Sequence, residues 1–156
     1  MSSSNIPTRV DGVDVRGPRF VAWITTAVLL VILIVSAFSP AAAAIILSLQ
    51  AVVFALGAGG GPRRNPYGML FATFVAPRLG PVREREPVPP LRFAQLVGFV
   101  FATFGIAGFS VGSVVVGVVA TSFALVAALL NAAFGICLGC ELYPLVARLR
   151  RTPRPA

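Results

Sequence analysis

The chain has 156 residues, 57% of them apolar and 12% charged, with a net charge of +8 at neutral pH. A soluble domain this short could not hide so much hydrocarbon, because small domains bury only part of their surface. The excess of base would suit nucleic acid, but here the bases flank apolar runs instead of forming a stripe, so no nucleic-acid partner is expected and orientation in a lipid bilayer explains them. All the bases are Arg and His is absent, which excludes any chemistry that needs an imidazole.

Residues 1–19 form a polar N-terminal segment, broken by Pro7, Gly12, Gly17 and Pro18 and charged at Arg9, Arg16 and Arg19. A membrane domain over 20–144 follows. Phe20 to Phe38 carries no charge and, at about 1.5 Å per residue, roughly matches a hydrocarbon core of about 30 Å. Ser39-Pro40 closes it, and Ala41 to about Gly57 forms a second span, so the two read as a hairpin. A cleaved signal peptide competes for the first run, but its apolar core is too long, and Asp11 and Asp14 precede it.

The loop 62–92 differs in kind, with Arg63, Arg64, Arg78, Arg83, Arg85, Arg92, Glu84, Glu86 and several prolines. Within it, Tyr67 to Ala76 is apolar. Asn65 is placed to cap a helix and Pro66 to occupy its first position. Ten residues are too few to span, so this helix is expected to lie in the interface, with Tyr67, Leu70, Phe71, Phe74 and Val75 on one face. Phe93 to about Phe109 is the third span and Val114 to Leu138 the fourth, turning at Gly108 to Ser113. Residues 145–156 form a basic tail.

The predicted fold is therefore all-α: a polytopic membrane protein of four transmembrane helices plus one short interfacial helix. An even number of spans puts every Arg-bearing segment on one side. By the positive-inside rule that side is cytoplasmic, which gives a multi-pass protein of the cell (plasma) membrane with both termini inside.

The residues that could carry chemistry are Cys137 and Cys140. At the C-terminal end of the fourth helix they share a face three residues apart, close enough for a disulfide after modest adjustment. A thiol–disulfide relay needs two sulfurs in reach, one accessible and one resolving; Cys140, nearer the water, is expected to attack and Cys137 to resolve. The negative end of the helix dipole and Glu141 both oppose a thiolate in that setting. Glu141 itself is either a proton partner for Cys140 or a headgroup-level partner of Arg148. With two cysteines and no His, no metal site is expected.

Other residues admit plainer readings. Tyr143 and Trp23 suit an aromatic belt, although Tyr143 could also stack near a quinone. Gln50, Gln95 and Asn131 suit interhelical hydrogen bonding. Gly108 with Gly112, and Gly135 with Gly139, have small-residue spacing for close helix contact. No ionisable group falls mid-span, which argues against an ion-coupled transporter; a small-solute permease would need oligomerisation to make a path. No cofactor site is legible, a membrane quinone included.

Asn65-Pro-Tyr-Gly68, Pro77-Arg-Leu-Gly-Pro81, Arg92-Phe-Ala-Gln95, Asn131 and Cys137-x-x-Cys140-Glu-x-Tyr143 together resemble an uncharacterised (domain of unknown function) family of small bacterial four-helix integral membrane proteins. The resemblance runs from about Val15 to Arg150. It implies a membrane location and an association with thioredoxin-like and sulfurtransferase proteins, hence thiol or sulfur-relay handling, and assigns no residue a role. The expected function is a thiol–disulfide or sulfur-relay component working at the cytoplasmic face. The alternative is a non-catalytic accessory subunit, packed by its glycine faces into a larger membrane complex or homo-oligomer.

Overall fold

The computed structural model describes residues 12–150, without the side chain of Arg150. Four helices are long and apolar enough to cross a membrane: α1 (Arg16–Ser36), α2 (Pro40–Gly60), α4 (Val88–Ser110) and α5 (Val114–Phe134). Between α2 and α4 lies a short helix, α3 (Pro66–Leu70), continued by a π turn over Phe71–Val75 and a 3-10 turn over Ala76–Arg78. A last helix, α6 (Leu138–Arg150), follows α5. Gly12–Asp14 (β1) pairs antiparallel with Arg85–Pro87 (β2), Val13 opposite Glu86. The expected all-α membrane architecture is the one found.

The spans form a ring in which α1 packs on α2 and α5, and α4 on α2 and α5. The core holds Leu29, Ile32, Leu47, Phe54, Ala102 and Phe109, while Ile34, Ile45, Leu49, Phe104, Val115 and Phe123 are exposed on the outside. A helix apolar on both its inner and outer faces suits hydrocarbon. Hydroxyls in this setting must find partners within the protein: Thr26, Ser48, Thr103 and Thr121 each donate to the carbonyl four residues back. Glycine lets α4 and α5 approach closely, since a Cβ on Gly108 would lie 2.5 Å from the Gly117 nitrogen.

Both hairpin links, 37–39 and 111–113, lie at one end and carry no charge. At the other end stand β1, the 61–87 segment and α6, so all the charged residues described gather there. Two of the arginines also close helices. Arg92 of α4 donates to the carbonyls of Ala58 and Gly59 at the end of α2. Arg19 of α1 donates to Ala133 at the end of α5. A guanidinium there satisfies orphan carbonyls and meets the negative end of the dipole.

Several boundaries move. α1 starts at Arg16, because Asp14 accepts a hydrogen bond from the Arg16 backbone N–H at 3.0 Å and so satisfies a first-turn donor. α4 starts at Val88, with prolines in its first turn where no N–H is needed. Most consequential, α5 stops at Phe134 instead of Leu138. Gly135 takes the left-handed conformation (φ 71°), and its N–H bonds back to Asn131. The cysteines are therefore not at the C-terminal end of a span. The glycine pairs divide too: Gly108 and Gly139 pack against neighbouring helices, whereas Gly112 and Gly135 make turns with positive φ. Expectations for residues 1–11 and 151–156, Arg9, Asp11, Arg151 and Arg154 among them, lie outside the described residues.

Candidate functional site: a cysteine pair at the start of α6

Once Gly135 has ended α5, the chain turns through Ile136 and Cys137 and begins α6 at Leu138. The Cys137 carbonyl accepts from the Glu141 N–H at 3.0 Å, the first bond of the new helix, so Cys137 occupies the N-cap position. Cys140 lies in the first turn. Both thiols are free; Cys137 is buried and Cys140 half-buried.

What holds α6 in place is close packing on α4. A Cβ on Gly139 would lie 2.5 Å from the Ala94 Cα, so only glycine permits this approach. Phe93 meets Tyr143 edge-on with ring centroids 6.0 Å apart. Pro144 lies inside the helix and cannot donate to the Cys140 carbonyl. Leu138, Leu142, Leu145 and Leu149 are exposed along one face, the first two also lining the cavity described below; with Arg148 on the same helix, this is the pattern of a helix lying in the membrane surface.

The N-terminal setting splits the two thiols. The Cys140 thiol directed at Cys137 lowers the Cys137 pKa. Burial and Glu86 oppose this, while the backbone N–H groups of Cys140 and Gly139 add to it. Cys140 is pushed strongly upward, first by its hydrogen bond to Cys137, then by burial and the charges of Cys137, Glu86 and Glu141. The electrostatics thus favour a thiolate on Cys137, the reverse of what a helix C-terminus would give, and keep a proton on Cys140.

Glu86 was not singled out from the sequence. β1–β2 pairing positions it, and its charge is felt at both sulfurs. Burial raises its own pKa, as does Glu84, with Arg19 opposing. Nothing local in Arg83-Glu-Arg-Glu86 signals this, because the proximity comes from a strand partner more than seventy residues away. Glu141 is exposed; among the described residues the ion pair present is Asp14–Arg16, at 2.7 Å. The charge of Glu141 adds to the upward push on Cys140.

A cavity of about 580 Å³ opens beside the pair. Its wall includes Cys137, Gly139, Asn131 and Gln95, and it reaches inward to Phe101 and Ala124, about ten residues from the end of α5. At the charged end it meets Arg63 and Arg85. Of the amides expected to bond between helices, Gln50 and Gln95 do so, toward α3 and its cap. Asn65 caps α3 through the Tyr67 and Gly68 N–H groups and donates to Gln95 at 3.4 Å. The Tyr67 hydroxyl donates to Gln50 in mid-α2 at 2.8 Å. Gln50 and Gln95 thus anchor the interfacial helix, and Phe71 completes that anchor against Gly17 and Phe20. Trp23 faces outward, 52% exposed.

No curated protein and no solved structure matches the chain. One family profile does, over residues 13–148. It spans the ribbon, all four membrane helices and the cysteine pair, and by it the chain belongs to the family described as a domain of unknown function, DUF4395.

Proposed function

We propose that this membrane protein is a thiol–disulfide component, in which Cys137 and Cys140 cycle between dithiol and disulfide and exchange with a soluble thioredoxin-like protein at the cytoplasmic face. The observation that carries the reading is the helix start at Leu138, which puts Cys137 at an N-cap and leaves Cys140 the more accessible sulfur. Exchange proceeds by attack of a thiolate on a disulfide sulfur, fastest where the expelled sulfur has the lower pKa. The oxidised pair is therefore attacked at Cys140. The new bond joins Cys140 to the partner, and Cys137 leaves with the electron pair as a thiolate. The partner's second thiol then displaces Cys140, which takes up a proton; the partner is oxidised and the pair reduced. Cys140 keeps its place as the sulfur that meets the partner, but as the atom attacked instead of the attacker.

The test uses the oxidised protein in lipid nanodiscs and a thioredoxin whose resolving cysteine is replaced by Ser. A covalent complex joined through Cys140, read by peptide mass, is the expected product. A linkage through Cys137 overturns the order of events. If no complex forms, and Cys137→Ser and Cys140→Ser both behave as the wild type in cells, the relay itself is wrong.

A further inference from the structure

An exchanging pair that oxidises its partner must be reoxidised by something that takes two electrons. The geometry points to the cavity beside Cys137 as the site of that acceptor, a lipid-soluble quinone; this rests on the thiol–disulfide reading above.

The cavity has the size and make-up of a small-molecule site: several hundred Å³, walls mostly apolar, and a few polar groups to fix orientation. At about 580 Å³ it has room for a substituted quinone ring and the first part of an apolar tail. Its depth is lined by Thr25, Phe54, Phe101 and Ala124 of the four spans, surroundings a charged or strongly hydrated oxidant would not enter. The side-chain amides of Gln95 and Asn131 stand in the wall and can donate to quinone carbonyl oxygens. Of the two cysteines, Cys137 is the one in that wall. The pair is thus divided: Cys137 toward the cavity and Cys140 toward the partner.

The chemistry balances. The Cys137 thiolate adds to the quinone ring and forms a C–S bond. Cys140 then attacks the Cys137 sulfur, so that the S–S bond forms and the C–S bond breaks, with its electron pair left on the ring. The ring oxygens take one proton from Cys140 and one from water. One thiolate, one thiol, one quinone and one proton give one disulfide and one quinol.

The experiment places the reduced protein in nanodiscs without oxygen and adds decylubiquinone. Alkylation with a mass-shift reagent reads the thiols, and ultraviolet absorbance reads the quinone. Loss of both thiols with one quinone reduced per pair is expected, and Ala127→Phe, which fills the cavity from α5, should lower the quinone rate at least tenfold relative to the same variant's exchange rate with thioredoxin. Should Ala127→Phe misfold, Asn131→Leu addresses the same wall, with the same expectation. Oxidation of the variant at the wild-type relative rate overturns the cavity as the site. A wild-type protein that exchanges with thioredoxin but ignores decylubiquinone overturns this inference and leaves the proposed function standing. Failure of both reactions sinks the proposed function itself.

Discussion

A thiol at the start of a helix meets free N–H groups and the positive end of the helix dipole, so its thiolate is favoured. At Cys137 that effect combines with the donated Cys140 thiol, and together they outweigh burial and the charge of Glu86. The consequence is a split in reactivity with pH. Thiolate displaces iodide from iodoacetamide, and an unperturbed cysteine titrates at about 8.5, so the Cys137 rate should reach half its maximum below that value and the Cys140 rate above it. Peptide mass spectrometry at a series of pH values separates the two. Cys140→Ala removes the donor and should move the Cys137 midpoint upward; an unmoved midpoint would mean that the helix start alone sets it. The linkage has a definite sign. A folded pKa below the unfolded one gives Cys137 a stabilising contribution that is complete above the unfolded value and is lost as pH falls through the folded one. Cys140, whose folded pKa is raised, contributes stability that is complete below the unfolded value and is lost as pH rises above it, so the two thiols together place a stability maximum near the unfolded cysteine value.

Among the elements, α6 decides whether the site exists. It is held to α4 by the fit of Gly139 against Ala94 and by the Phe93–Tyr143 pair. Gly139→Ala should push α6 off α4, since overpacking a close contact costs about 1–3 kcal/mol. Faster proteolysis within 138–150 and faster alkylation of Cys137 are the expected readouts, with the four spans still intact by circular dichroism. Unchanged rates would show that the amphipathic face of α6 is enough to hold it at the membrane. The β1–β2 ribbon is the other small element with large reach, because it ties the start of α1 to the loop before α4 and brings Glu86 to the sulfurs. Asp14 fastens that ribbon through Arg16, whose guanidinium also donates to the Gly80 carbonyl at 3.0 Å. The Arg16 hydrogen bond lowers the Asp14 pKa against a burial effect that raises it. Its stabilisation is therefore present above the ordinary carboxylate range and is lost as pH falls through the lower, folded value.

For the whole molecule, the governing fact is the gathering of all described charge at one end of the four-helix ring. Arginine near membrane ends is retained on the cytoplasmic side, so the uncharged links should face outward. Cysteine substituted at Ser39 or Gly112, in a background where Cys137 and Cys140 are Ser, should react with an impermeant maleimide added to intact cells, whereas cysteine at Arg83 should react only after the cells are broken. The opposite pattern would invert the protein and put the sulfur pair in an oxidising compartment. The arginines at that end also do local work: Arg19 and Arg92 close the ends of α5 and α2, so the residues expected to orient the chain also terminate its helices.

Four spans, their pairing into hairpins and the cap at Asn65 could all be read from residue order, because hydrocarbon thickness, unbroken apolar length and turn chemistry are local or nearly local constraints. The nature of the cysteine site could not. Gly135 reads equally as a helix residue or a helix stop, and its choice of the left-handed conformation turned the expected C-terminus into an N-cap, which reversed the electrostatics of Cys137 and left Cys140 disfavoured as a thiolate. Glu86 and the cavity were hidden for a related reason. Each is produced by segments far apart in the chain, a ribbon pairing in one case and the imperfect meeting of four helices in the other. Partition between water and lipid acts on single segments and leaves its mark in composition; proximity between distant groups arises only when those segments pack.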